Sequence, residues 1–211
     1  SRNFRRELDA DLVEFRLTEG DRPEGFDYDG FVVTGSRSAA YDDDEWIRVA
    51  KAWCREAIDR GLPGLGICFG HQLLADVLGG RIESMGEYEL GYRTVTRVAD
   101  DPVLEGLGDS FLVFTTHSDA VVELPESATL ILENDYGIHG FRDDNAVGIQ
   151  AHPEYDADSA RMVTEGKSLP DERIQSVLDE ITEENYRRAC RSKQVFDNFL
   201  ATVRERRRAS A

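Results

Sequence analysis

Lysine is the residue that this sequence most lacks: the 211 residues contain Lys51, Lys167 and Lys193 and no other. With 42 acidic residues against 25 basic ones, the formal net charge is −17 at pH 7. Such a charge argues against nucleic acid or an anionic membrane as a partner. It also makes the surface repel itself, and salt screens that repulsion with a Debye length of about 3 Å at 1 M. The composition therefore predicts a halophilic protein, with an ordinary acidic soluble protein as the alternative.

Long apolar runs are missing too. No run approaches the roughly 18 residues that a membrane-spanning helix needs. The basic start, 1–6, leads into Glu7-Leu8-Asp9 rather than into the apolar core of a signal peptide. We therefore expect a cytoplasmic protein with no membrane partner. Hydrophobic residues make up 40% of the chain, which is typical of a globular protein, and the length predicts one domain over 1–211.

Cysteine is scarce and widely spaced. Cys54, Cys68 and Cys190 fit neither a disulfide framework nor a zinc site. Cys54 lies on the apolar face of a predicted helix and Cys190 has no histidine nearby in the sequence, so both are interpreted as structural. His71 and His139 have no partner at metal-ligand spacing. We expect neither a metal nor a cofactor.

Periodicity predicts the order of the secondary structure. Asp11–Leu17 alternates weakly and Tyr28–Thr34 strongly, so both are predicted strands. The acidic run 42–45 opens an amphipathic helix. The middle, 81–150, is rich in strand patterns, and 170–211 is a helical C-terminal segment. The early alternation of strands and helices predicts an α/β fold with an open, mainly parallel central sheet flanked by helices.

The segment 66–72, Gly-Ile-Cys-Phe-Gly-His-Gln, carries the strongest chemical signal. It lies between a predicted buried strand, Leu65–Ile67, and a helical pattern, with a glycine two residues before and two after Cys68. This is the layout of a nucleophile elbow, a tight turn that leaves no room for larger side chains around the nucleophile. A thiol there lies at a helix N-terminus, where free N–H groups and the helix dipole favour the thiolate. The alternative is a structural cysteine beside a turn.

A base for this thiol is available in His152, which Pro153 separates from Glu154. Proline biases the preceding residue towards an extended conformation, in which residues i and i+2 point the same way. Glu154 can therefore reach one imidazole nitrogen while the other faces a sulfur. By itself this tripeptide is a weak signal, because a surface turn can contain it by chance. Together with the elbow it predicts a Cys-His-Glu triad.

Both motifs resemble a known family. Gly-x-Cys-x-Gly-x-Gln at 66–72 and Gln-Ala-His-Pro-Glu at 150–154 are similar to the two signatures of class I glutamine amidotransferases, and nearest to those of the glutaminase domain of GMP synthases. The resemblance covers about 27–155, and both motifs are specific. The family fold begins with a buried strand, whereas this sequence begins with a helix-like segment, 3–8. We therefore expect that first strand to be missing.

The resemblance implies a reaction. Cys68 would attack the side-chain amide of L-glutamine, His152 would transfer the proton, and Glu154 would orient His152. Ammonia would leave, and water would hydrolyse the γ-glutamyl thioester to glutamate. The site therefore needs no cofactor.

The resemblance also implies binding residues. The oxyanion would lie against the N–H of Phe69 and one N–H of the turn formed by Gly35 and Ser36, where Ser36 takes the place of a second glycine common in the family. Gln72 resembles the glutamine-binding residue of the family. The segment 116–119 resembles the one that holds the amino acid end of the substrate, with Thr116, Ser118 and Asp119 as its candidate contacts.

No nucleotide-binding pattern is visible in the chain, so the ammonia would pass to a separate synthetase subunit, for which a GMP synthetase is the natural candidate. Two alternatives remain open. One is a thiol hydrolase that acts alone on γ-glutamyl peptides with the same triad. The other is a non-catalytic regulatory module, although the intact Cys68, His152 and Glu154 argue against it.

Overall fold

The computed structural model of the chain describes residues 2–210 and contains one seven-stranded sheet in the spatial order β1-β2-β7-β6-β5-β3-β4. The strands are β1 (Phe31–Val33), β2 (Gly64–Ile67), β3 (Arg81–Arg97), β4 (Ser110–Glu123), β5 (Thr129–Asn134), β6 (Gly137–Asp143) and β7 (Ala146–Ile149). Every residue of β2 and β7 is buried, as expected for strands that helices cover on both faces.

The sheet is mixed. β1 pairs with β2, and β2 with β7, in parallel, while every other pair is antiparallel. A helix connects β1 to β2, as a parallel pair requires, but two-residue turns connect β5 to β6 and β6 to β7 and fix antiparallel pairing. The α/β class with flanking helices and a nucleophile elbow is confirmed, and the parallel part of the sheet is smaller than the sequence predicts.

Helices cover both faces of the sheet. They are α1 (Arg2–Glu7), α2 (Glu45–Asp59), α3 (Phe69–Leu78), α4 (Ala157–Glu165), α5 (Asp171–Glu180), α6 (Glu183–Ala189) and α7 (Gln194–Ser210). One core cluster joins Leu65 and Ile67 of β2 to Phe196 of α7. A second joins Ile47 of α2 and Leu73 of α3 to the sheet. The two layers hold the carboxyl ends of the short parallel strands rigidly in place, and these strand ends carry the candidate site.

Two local predictions differ from the structure. Asp11–Leu17 forms no strand, because its weak alternation has no neighbouring strand to pair with. Strand β6 (Gly137–Asp143) was not predicted, since its two glycines and two charged residues weaken the strand pattern. Among residues 2–210, no helix is both long enough and apolar enough to cross a membrane.

Candidate active site

Cys68 occupies a strained turn between β2 and α3. Its backbone has φ 55° and ψ −105°, a conformation that L-residues adopt only under constraint from their surroundings. A Cβ at Gly66 would collide with the backbone of Gly70, and one at Gly70 would collide with the carbonyl of Val33. Both glycines are therefore required for the elbow to close. The turn places the thiol at the N-terminus of α3, as the sequence predicts.

His152 reaches Cys68 because β7 runs parallel to β2. The carboxyl ends of these two neighbouring strands meet at one edge of the sheet, and His152 lies just beyond β7, where its N–H donates to the carbonyl of Phe114 at 2.9 Å. Gly35, just beyond β1, lies on the other side of the histidine. A Cβ at Gly35 would be 3.0 Å from Cε1 of His152 and 3.9 Å from Cβ of Cys68. Three adjacent strand ends thus converge on one point.

The side chains of Cys68, His152 and Glu154 form a hydrogen-bonded chain. Nδ1 of His152 lies 2.8 Å from Oε1 of Glu154, and the imidazole also forms a hydrogen bond with Cys68. The ring stacks on Tyr155 with 4.2 Å between the centroids. These contacts hold the imidazole between the sulfur and the carboxylate, which is the geometry of a nucleophile, a base and an orienting group.

The electrostatics of the chain favour a protonated His152. Burial lowers the pKa of His152, but the negative charges of Cys68 and Glu154 outweigh it, and the pKa is raised well above its usual value. An imidazolium beside the sulfur can donate a proton to a departing amine. Glu154 is 3% exposed, and the guanidinium of Arg6 donates to its backbone carbonyl at 2.9 Å. Sequence reasoning missed Arg6, since no motif connects helix α1 with this loop.

Three backbone amides surround the nucleophile. Among the described residues, no acceptor takes a hydrogen bond from the N–H of Gly35, Ser36 or Phe69. Phe69 is the first residue of α3, so its N–H is one of the groups that a helix leaves unpaired. The side chain of Ser36 accepts from the N–H of Ser38 at 3.2 Å and lies away from its own amide. Free donors beside a buried thiol can bind an oxyanion, which agrees with the predicted roles of these residues.

Gln72 is buried and fully engaged with the protein. Its Nε2 donates to the carbonyl of Asp119 at 2.8 Å and to Oε1 of Gln150 at 3.1 Å. The side chain therefore holds the segment 116–119 against α3 instead of extending into open space. In the same segment, Oγ1 of Thr116 is buried with no partner among the described residues, and the carboxylate of Asp119 accepts from the hydroxyl of Tyr41 at 2.7 Å. Ser118 is half-buried.

A second buried cluster lies behind this segment and was missed at the sequence level. Oε2 of Glu89 lies 2.6 Å from Nε2 of His117 and 2.9 Å from Nε2 of His139, and Oε1 accepts from Asn134 at 2.6 Å. The side chains of Glu89, His117 and His139 offer ligand atoms that all lie within 4.8 Å of one another. Burial raises the pKa of Glu89, but hydrogen bonds from His117 and His139 outweigh it and lower the pKa to about 2.

This cluster supports the segment 116–119. Nδ1 of His117 lies 2.9 Å from the carbonyl of Asp119, so both ring nitrogens of His117 face oxygen acceptors and the imidazolium form satisfies both. Glu89 lies opposite His117 in the antiparallel β3–β4 register. No spacing within the sequence reveals a pair that distant, and for that reason His139 has no partner by sequence reasoning alone.

The other two cysteines lie outside the triad. Cys54 is buried in the helical layer formed by α2 and α3, and burial raises the pKa of its thiol to about 12, which makes it a poor nucleophile at neutral pH. Cys190 is half-buried at the end of α6. Neither cysteine has His152 as a partner, and both fit the structural interpretation.

Comparison with known proteins identifies the family. The sequence model of class-I glutamine amidotransferases matches residues 4–165. The chain belongs to this family. A solved glutamine amidotransferase from Thermotoga maritima has the same fold, with a TM-score of 0.78, 23% identity, and coverage of 93% of this chain and 89% of that chain.

Two kinds of curated relatives are similar to this chain. Gamma-glutamyl peptidase 5 of Arabidopsis thaliana is 37% identical over 158 residues, which cover 67% of this chain and 61% of that protein. A subunit of the glutamine-hydrolyzing GMP synthase of Halobacterium salinarum is 39% identical over 153 residues, which cover 69% of this chain and 78% of that protein. Family membership therefore leaves the specific substrate and partner open.

Proposed function

We propose that this chain is a glutaminase: it hydrolyses L-glutamine to glutamate and ammonia through a γ-glutamyl thioester on Cys68. The hydrogen-bonded chain from Cys68 through His152 to Glu154 carries the proposal. A sulfur at a strained elbow, a base held by a buried carboxylate and free amides beside the sulfur are together what acyl transfer from an amide requires.

Each residue then has one task. The sulfur of Cys68 attacks the γ-carbonyl, and the oxyanion is bound by the N–H of Phe69 and by the Gly35-Ser36 turn. His152 donates its proton to the departing nitrogen, and the C–N bond breaks to release ammonia. Water, deprotonated by His152, then attacks the thioester and releases glutamate. Glu154 keeps Nδ1 of His152 occupied, so that Nε2 faces the sulfur.

The amino acid end of glutamine is proposed to bind along the segment 116–119. Thr116 offers a buried hydroxyl with no partner among the described residues, and Gln72 keeps Asp119 and its neighbour Ser118 in position. Removal of the Gln72 amide is then expected to raise KM for glutamine more than it lowers kcat, because the triad does not depend on it.

The ammonia is proposed to pass to a separate synthetase, with a GMP synthetase as the first candidate, because one relative is named as a subunit of a GMP synthase. Steady-state hydrolysis, with and without that synthetase and its substrates, tests this part. We expect slow hydrolysis by the chain alone and a marked rise in the complex. Full-speed hydrolysis alone, with no rise on adding the synthetase, contradicts the partnership.

A second candidate activity is hydrolysis of γ-glutamyl peptides. The 37% identity to a protein named as a gamma-glutamyl peptidase supports it, and the same thioester chemistry serves both substrates. Parallel assays with glutamine and a γ-glutamyl dipeptide distinguish the two. Hydrolysis of neither substrate by a folded chain, with Cys68 reduced, contradicts both activities and leaves the non-catalytic module.

A further inference from the structure

Two cations stand beside the nucleophile without a carboxylate partner. Among the described residues, no Asp or Glu lies within ion-pair distance of Lys167 or Arg37, although acidic residues outnumber basic ones by 42 to 25. Lysine is rare in this chain, and the other two lysines, Lys51 and Lys193, each pair with a carboxylate, at 2.6 and 2.7 Å. Unpaired cations in so acidic a chain are where an anionic ligand would be attracted.

Lys167 is fixed in place by its surroundings. It follows α4 and Gly166, and its N–H donates to the carbonyl of Thr164 at 3.1 Å. Its Nζ lies 4.6 Å from the centroid of the Tyr88 ring, and the carbonyl of Tyr88 in turn accepts from the guanidinium of Arg173. The half-buried ammonium is therefore held over an aromatic face instead of moving freely in solvent.

Both cations lie on the His152 side of the sulfur. Arg37 follows two residues after Gly35, whose position is in contact with the His152 ring, and its positive charge lowers the pKa of Tyr155, the residue stacked on that ring, against the larger raising effect of burial. Burial lowers the pKa of Lys167, the Cys68 thiolate raises it, and Arg37 lowers it. Lys167 and Arg37 thus share one space with the reacting sulfur.

The side of the site determines which part of a substrate these cations meet. The glutamyl end is proposed to bind along 116–119, and the leaving amine must lie beside His152, which protonates it. Ammonia, the leaving group of glutamine, carries no group that two cations could bind. An amino acid as leaving group carries a carboxylate a few atoms from the scissile nitrogen.

We propose that Lys167 and Arg37 bind the carboxylate of the leaving group, so that this chain also hydrolyses γ-glutamyl amino acids with a free carboxylate. The inference rests on the thioester chemistry proposed for Cys68. The thiolate attacks the γ-carbonyl, the C–N bond breaks, His152 gives its proton to the amino acid nitrogen, and water then releases glutamate. The released amino acid leaves with its carboxylate unchanged.

The test compares γ-glutamylglycine with γ-glutamylmethylamide, which have the same scissile bond and differ by the leaving-group carboxylate. The measured quantity is the ratio of their kcat/KM values at one fixed ionic strength. We expect the wild-type ratio to favour γ-glutamylglycine, and Lys167→Met to lower this ratio about fivefold, the effect of one partly exposed charge pair. Arg37→Gln is expected to act in the same direction, and Lys167→Arg to restore most of the ratio.

Arg55→Gln is the matched control, because Arg55 is an exposed arginine on α2 with no ion-pair partner among the described residues; its ratio should equal that of the wild type. A ratio unaffected by both Lys167→Met and Arg37→Gln overturns the proposal. Equal losses on both substrates overturn it too, since the cations would then act on the sulfur or on the glutamyl end. Failure of the wild type to hydrolyse either compound would instead contradict the proposed thioester chemistry.

Discussion

Nδ1 of His152 lies 2.8 Å from Oε1 of Glu154, and both side chains are buried. This contact fixes the orientation of the imidazole, so that the ring nitrogen facing the sulfur is Nε2. Loss of the base should remove nearly all turnover, whereas loss of the orienting charge leaves a base in place but poorly aligned. We therefore expect His152→Ala to be more damaging than Glu154→Gln, which should lower kcat by ~10²-fold or more.

Steady-state kinetics of both variants check this order. Glu165→Gln, at an exposed position at the end of α4, is the control and should match the wild type. Equal and small losses from His152→Ala and Glu154→Gln would mean that the pair serves the fold and not the reaction.

Gly35 should tolerate no side chain. A Cβ there would lie 3.0 Å from Cε1 of His152, closer than an ordinary contact, and the ring would have to move. We expect Gly35→Ala to lower kcat at least ~10-fold, because small displacements of catalytic groups are costly. Gly25→Ala is the matched control, since a Cβ at Gly25 meets no atom within 4 Å. Unchanged kcat in a folded Gly35→Ala variant would contradict the position assigned to the imidazole.

The elbow and the His-Pro-Glu motif could be predicted from the sequence because both are local. Spacing alone determines that glycines flank Cys68 and that residues 152 and 154 point the same way. The contacts of Glu89 with His117 and His139 depend on the register of β3 against β4 and on the neighbouring strand β6. No local pattern encodes such long-range pairing, and the same reason explains why the antiparallel part of the sheet was underestimated.

Acid should destabilise the fold through His71. Burial, with smaller effects of the positive charges of His139 and His117, lowers its pKa to about 3. Between the ordinary value of about 6.5 and that lower value, only the unfolded chain binds the proton. The free energy of unfolding therefore falls as the pH drops through this range, by up to about 1.4 kcal/mol for each pH unit from this group.

Urea unfolding between about pH 7 and pH 4 measures this slope. His71→Leu removes the titrating group, so we expect a shallower dependence on pH in the variant, whatever its absolute stability. Identical slopes in the two proteins would show that His71 does not remain neutral in the folded state.

Salt should stabilise the chain. A net charge of −17 with three lysines makes the folded surface repel itself, and salt screens that repulsion. Thermal melts in KCl from about 0.1 M to about 3 M should show a rising Tm. A flat or falling Tm across the series would count against adaptation to high salt.

The central claim is that Cys68 is the nucleophile for a γ-glutamyl amide. The most direct measurement treats the protein with an electrophilic glutamine analogue and locates the adduct by peptide mass mapping, with glutamine hydrolysis followed in the same sample. We predict one adduct, on Cys68, with loss of hydrolysis in proportion to labelling, protection by excess glutamine, and no adduct or turnover in Cys68→Ala. Labelling of Cys54 or Cys190 instead, or near wild-type hydrolysis by Cys68→Ala, would contradict the account.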